Sequence, residues 1–275
     1  MRMHDIEVFR QKIFDYYRLH RRDFPWRETT DRYAVMVSEI MLQQTQAERV
    51  VPRFIAWLQY FPDISHLSSA SLKEVLALWS GLGYNSRAVR LHRCAMVIME
   101  EYGGVVPFQP ETLKKLPGIG EYTSRSIPIF ADNLDVATID TNIRRILIHE
   151  FTLPENITPL KLQEIADEVL PAGQSREWHN ALMDYGALCL TSKKSGIRPL
   201  TKQSTFHGSK RWYRGKLIKE LVQSEVMCLE EIESRYGDCP WNLNEIIGEL
   251  IDEGFVERQE NTISGALIGL KIKGS

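Results

Sequence analysis

Cysteine is scarce in this chain: four in 275 residues, at positions 94, 189, 228 and 239. They lie too far apart for a zinc-ligand pair, and each is expected to be a reduced thiol. No run of 18 uncharged apolar residues occurs, which excludes a membrane-spanning helix. The opening MRMHDIEVFRQKIFDYY is charged and aromatic where a secretory signal would be apolar, so a cytoplasmic location is expected. Strand-like alternation is rare in the first 190 residues, and there is neither tandem repeat nor low-complexity tract. Net charge is also small, −2, which on its face argues against a nucleic-acid partner.

That average hides a segregation. Residues 193–219 hold nine Lys or Arg and no Asp or Glu, whereas residues 220–275 hold twelve acids and four bases. A basic strap followed by an acidic unit makes whole-chain charge uninformative. The strap reads either as a solvated linker or as a phosphate contact.

What is abundant is helical patterning. Ile6, Phe9, Ile13 and Tyr17 recur at spacings of three and four, one face of an amphipathic helix. YAVMVSEIMLQQTQAERVVPRFIAWL reads as one long helix, and SLKEVLALWSGLG as a helix capped by Ser71 with Glu74 three residues on. Pro128 falls inside another helical run, EYTSRSIPIFA, at the expense of a backbone hydrogen bond. The tail offers three helical segments and then FVERQENTISGALIGLKI, two strand-like runs around a polar turn at Glu260–Asn261. The expected fold is mainly α: a helical domain over 1–192, a basic linker over 193–211, and a winged-helix-like α+β domain over 212–275.

The chemistry gathers around KKLPGIGEYTS. Gly118 and Gly120 bracket one apolar residue between two helices, a turn that lets the backbone approach an anion and presents helix N-terminal amides to it. Such a turn grips a DNA phosphate without reading sequence, though any pair of helices joined by a glycine turn looks similar. Company makes it specific. FPWR, SEIMLQQTQ, LWSGLGY, LPGIG, IDTNIRR and MDYGAL follow in order over residues 20 to 190. Together they resemble the helix-hairpin-helix DNA glycosylase superfamily, and within it the MutY-type adenine glycosylases.

The resemblance implies a base-excision repair enzyme that hydrolyses the N-glycosidic bond of a flipped mispaired base in double-stranded DNA. Adenine opposite 8-oxoguanine or guanine is the expected substrate, with thymine or uracil opposite guanine as the alternative and a non-catalytic DNA-binding protein as a further one. Glu39 matches the acid that protonates the leaving base. Asp140 matches the carboxylate that offsets the sugar cation, the division of labour of glycoside hydrolysis. Asp140 also reads as a helix N-cap, and the two roles are compatible. Asn142 would support the site by hydrogen bonding. Tyr122 stands where strand-nicking relatives carry a Schiff-base lysine, so a glycosylase without lyase activity is expected. Gln44 and Tyr84 match side chains that wedge into the base stack, although they also read as a polar helix residue and a packed ring. Arg87, with Arg90 and Arg93, reads as a phosphate track or a wet helix face.

The chain departs from the resemblance in two places. Where MutY-type enzymes hold an iron–sulfur cluster on four cysteines, an ungapped match puts Leu190, Ile197, Leu200 and Phe206. No cofactor and no metal are therefore expected, with a small apolar plug in place of the metal and Leu200 and Phe206 buried. The larger C-terminal domain that reads 8-oxoguanine is replaced by a net-acidic unit of about sixty residues, for which a protein partner is as much expected as DNA.

Overall fold

The computed structural model describes residues 3–197, 205–260 and 267–274. It is mainly helical, with one two-stranded sheet among the described residues. The chain falls into two compact units, each discontinuous in sequence: Met1–Glu39 with Pro107–Gln203, and Ile40–Val106 with Ser204–Ser275. The expected 1–192 domain is thus divided, and the tail shares a unit with residues 40–106.

In the first unit, α1 (Met3–His20) buries Ile6, Phe9, Ile13 and Tyr17, the face its periodicity predicts. Its partner is α11 (Ser175–Asp184), whose Trp178 meets Phe9 edge-on at 5.5 Å. Arg10 on α1 donates to the carbonyls of Glu168, Val169 and Leu170, closing the end of α10 (Pro159–Val169). α8 (Glu121–Asp132) runs through the buried Pro128, so the missing N–H is tolerated within the helix. α9 (Thr141–Glu150) follows it and buries Ile143, Ile146 and Leu147 in the same core.

FPWR and MDYGAL meet here for a structural reason. The Asp184 carboxylate, fully buried, accepts from the backbone N–H and Nε of Arg22 and from both terminal nitrogens of Arg27 at 2.7–3.0 Å. The arginine hydrogen bonds hold its carboxyl below the usual carboxylate range despite burial. Replacing Asp184 with alanine would strand two arginines, one of them buried, and is expected to cost about 3–5 kcal/mol. Urea denaturation of the variant measures it.

In the second unit, the single long helix read from YAVMVSEIMLQQTQAERVVPRFIAWL is two. α2 (Arg32–Leu42) carries the chain across from the first unit and stops, and α3 (Ala47–Tyr60) begins after a turn in which Gln44 takes φ +55°. A non-glycine residue in the left-handed region ends a helix, and hydrophobic periodicity does not register it. α4 (Ile64–Ser69), α5 (Leu72–Trp79) and α6 (Ser86–Tyr102) follow. Trp57 and Trp79 meet edge-on at 5.7 Å in the core, and Ser71 with Glu74 forms the expected capping box.

The tail is built as expected: α13 (Lys210–Gln223), α14 (Leu229–Arg235), α15 (Leu243–Asp252), then β1 (Val256–Glu260) antiparallel to β2 (Leu267–Ile272). Met227 bridges to Leu270 on the far side of β2. Asn261, in the expected turn, lies outside the described residues. The charge segregation along the sequence closes up in space. Lys210 pairs with Glu245 and Glu249, and Arg214 with Glu249 and Glu253, at 2.6–2.7 Å. No helix among the described residues is long and apolar enough to cross a membrane.

Candidate active site

Four residues singled out from the sequence converge in the first unit. Glu39 is on α2, Tyr122 on the first turn of α8, and Asp140 and Asn142 at the start of α9. The glycine turn follows the short helix α7 (Pro110–Leu113) and sets up α8: Gly118 has φ +81°, a conformation other residues adopt only under strain, and Gly120 is the residue that caps the helix.

Glu39 is 8% exposed on a helix whose neighbours Met36, Val37, Ile40 and Met41 are all buried. Loss of hydration pushes its carboxyl up to about 7, with the nearby Asp140 charge adding to the effect. The hydroxyls of Ser126 and Tyr122, hydrogen-bonded to it, act in the opposite sense. Near neutrality Glu39 is therefore a poised proton donor. Tyr122 is driven well above the usual phenol range by burial and by both carboxyls, so it remains a neutral hydroxyl.

Asp140 is half-buried and also raised by burial, while the N–H donors around it and the Arg145 charge act in the opposite sense. Its Oδ1 accepts the Ile143 N–H at 2.7 Å, the N-cap bond of α9, and its Oδ2 accepts from Asn142 Nδ2 at 3.1 Å. Asn142 is held in turn: Arg145 Nη2 donates to its Oδ1 at 2.7 Å and to the Gly186 carbonyl at 2.9 Å. Arg145 Nε donates to the Leu190 carbonyl at 2.7 Å. A buried chain of hydrogen bonds thus runs from Leu190 through Arg145 and Asn142 to Asp140. Gly186 is required beside it, because a Cβ there would lie 2.8 Å from the Asn142 Cβ.

Three contributors carried no assignment from the sequence. Ser126 looked like a helix serine, and Arg145 like one of two helix charges; its signal is an arginine pair in a helix otherwise buried around it. His179 gave no signal at all. Buried on α11, it is held neutral by burial, its pKa down to about 4. Nδ1–H donates to the Ser175 carbonyl at 2.7 Å, which leaves Nε2 to accept the Thr138 N–H at 3.2 Å and fix the segment leading to Asp140.

In the second unit, Gln44 and Tyr84 both hold left-handed backbone, at φ +55° and +47°. Such strain persists only where the surroundings fix it and gathers at functional positions. Arg87 is a correction. Instead of tracking phosphates it is 7% exposed, and it donates to the carbonyls of Ile40, Met41, Gln43, Leu82 and Gly83 and to Thr45 Oγ1. It ties the end of α2 to the turn that carries Tyr84, with both terminal nitrogens engaged by protein oxygens.

The residues at the expected cluster positions do not fit a four-thiolate group. Leu190 and Ile197 are buried and apolar, and the four cysteines sit on separate elements, Cys94 fully buried in α6. Phe206, expected to be buried, is instead 52% exposed with the Arg211 guanidinium 5.3 Å from its ring. Leu200 lies outside the described residues.

A carboxylic acid poised near neutrality facing a second, hydrogen-bonded carboxylate behind a glycine-turned helix hairpin defines a nucleoside-bond hydrolase of the helix-hairpin-helix class. The family described as HhH-GPD superfamily base excision DNA repair protein matches residues 37–172. An adenine DNA glycosylase of Mycolicibacterium smegmatis is 33% identical over 269 residues, covering 90% of this chain and 92% of its own length. The mouse adenine DNA glycosylase is 35% identical over 78% of this chain, which spans only 44% of it. A thermostable thymine-DNA glycosylase structure superposes with a TM-score of 0.66 at 29% identity, covering 69% of this chain and 89% of that one. An endonuclease III trapped covalently on DNA shares the fold, with a TM-score of 0.63 at 14% identity over 73% of this chain and 91% of that one. The chain belongs to the helix-hairpin-helix DNA glycosylase superfamily and, within it, to the MutY-type branch.

Proposed function

We propose that this protein is a monofunctional adenine DNA glycosylase of base-excision repair, acting on adenine opposite 8-oxoguanine or guanine. The observation that carries the reading is Glu39, a buried carboxyl whose pKa is pushed to about 7, paired with an Asp140 surrounded by N–H donors. Glu39 gives its proton to a ring nitrogen of the extruded purine, and the C1′–N9 bond breaks with its electron pair going to the base. Asp140 stabilises the sugar cation left behind. Water adds at C1′, and the proton it loses restores Glu39 to the acid form. Adenine and an abasic site are the products.

Tyr122 supports hydrolysis without strand cleavage, since a neutral phenol supplies no amine for a Schiff base. Product strands are expected to stay intact until alkali is added. Nicking by clean protein in neutral buffer, trappable with borohydride, would refute that part. The buried aliphatic side chains at Leu190 and Ile197, which offer iron no ligand, support function without an iron–sulfur cluster. Active protein is expected to contain less than about one iron per ten chains by metal analysis; stoichiometric iron near four per chain would contradict it.

A second reading is favoured by one finding, the likeness to a thymine-DNA glycosylase. A pyrimidine leaves with less need of ring protonation, so Glu39→Gln would then retain most of its activity. The adenine reading expects the opposite.

A further inference from the structure

The second unit contains a groove that the excision chemistry does not use. It has a volume of ≈ 840 Å³ and runs between α13 and the Gly81–Ser86 turn. Arg49, Arg90, Arg211, Lys216 and Lys219 line it, and its one carboxylate, Glu253, is already paired with Arg214 at 2.7 Å. Aromatic rings are set among these cations: Tyr84, Phe206 and Trp212.

Arg211 joins the two walls. Its guanidinium stacks over the Tyr84 ring at 4.6 Å and lies 5.3 Å from that of Phe206, and its Nη1 donates to the Tyr84 hydroxyl. Its Nε is buried without a hydrogen-bond partner among the described residues. Tyr84 is thus held twice, by a strained backbone and by a residue of the C-terminal helices.

Cations alone would suit any polyanion. Cations alternating with rings, one of them 52% exposed, suit a nucleic-acid strand, whose phosphates and unstacked bases need both. We propose that α13 and the turn before α6 form a groove for one DNA strand, in which Arg211 positions the Tyr84 ring and the flanking arginines and lysines take the phosphates beside it. The C-terminal helices are then a DNA clamp, with Glu245, Glu249 and Glu253 engaged in ion pairs with Lys210 and Arg214 of α13. This rests on the reading of Tyr84 as the residue that enters the base stack.

The test uses the full chain and a duplex carrying a tetrahydrofuran abasic analogue opposite guanine, with 2-aminopurine next to the analogue. Arg90 and Lys219 are both exposed, so the double variant Arg90→Gln/Lys219→Gln keeps its fold. Its Kd is expected to rise at least about tenfold at low salt, and its slope of log Kd against log salt to fall by about two. Arg211→Ala is expected to suppress the 2-aminopurine fluorescence rise as Tyr84→Ala does. Arg211→Lys should restore it poorly, since an ammonium lacks the flat face that stacks on the ring.

An unchanged Kd and salt slope in the double variant would overturn the groove, whatever Tyr84 does. A full fluorescence rise in Arg211→Ala, with loss in Tyr84→Ala, would overturn the positioning role. A fallen slope with full fluorescence in Tyr84→Ala would support the groove and refute the wedge on which the positioning rests.

Discussion

Asp140→Asn is expected to lower single-turnover excision by about 10³-fold or more while leaving the fold and duplex binding in place. The substitution separates two roles that one side chain performs. As the N-cap of α9, Asp140 accepts the Ile143 N–H at 2.7 Å, and asparagine caps a helix about as well as aspartate. Stability should therefore change by less than about 1 kcal/mol. What asparagine cannot supply is the negative charge beneath a developing sugar cation, in a site where burial magnifies it. Circular-dichroism melts and a binding titration alongside the kinetics distinguish the outcomes. A variant that melts early would mean the cap dominated. One that stays folded and still excises within tenfold of the parent would remove Asp140 from the chemistry.

Glu39→Gln is expected to lose about 10²–10⁴ in excision of adenine and to gain stability above neutral pH. The two effects share a cause. The Glu39 carboxyl titrates near 4.5 when solvated and near 7 in the folded protein, so between those values the folded state holds a proton that the unfolded chain has released. Stability therefore falls as pH rises through that window, and above pH 7 the full penalty remains. Two and a half pKa units correspond to roughly 3 kcal/mol. Glutamine keeps the shape and the partners Tyr122 and Ser126 without the charge. At pH 4 the variant and the parent should melt together; at pH 8 the variant should melt several degrees higher. Activity of the parent should decline above pH 7 as the acid is lost. Equal melting temperatures at pH 8 would mean that Glu39 is solvated rather than poised.

The candidate site was legible because its parts lie in short ordered segments. Glu39, Tyr122, Asp140 and Asn142 each stand at a fixed offset from a motif, and the fold brings the motifs together. The framework that holds them was not. Arg145, Asn142 and Leu190 are linked by hydrogen bonds across 45 residues of sequence, and His179 reaches back 41 residues to Thr138. Periodicity reports which face of a helix is buried but not what it is buried against, and that limit explains the misreadings. Arg87 repeats at three with Arg90 and Arg93, which reads as a charged face, yet it sits among six oxygen acceptors beneath Trp79 and Tyr84. Phe206 reads as core by hydrophobicity, but it belongs to the segment ahead of α13, where Arg211 stacks against it. The division into two interleaved units left no mark on composition, because the chain changes unit inside the continuous helix α2.

The central claim is that Glu39 and Asp140 together expel adenine from a mispair. Its most direct test is single-turnover excision by the full chain on four end-labelled duplexes, each followed by alkali: adenine opposite 8-oxoguanine, adenine opposite guanine, thymine opposite guanine and uracil opposite guanine. Asp140→Asn serves as the control. Cleavage confined to the adenine strands, and absent from the control, is the result predicted. Cleavage confined to the thymine or uracil strands, or equal cleavage by the control, would contradict it.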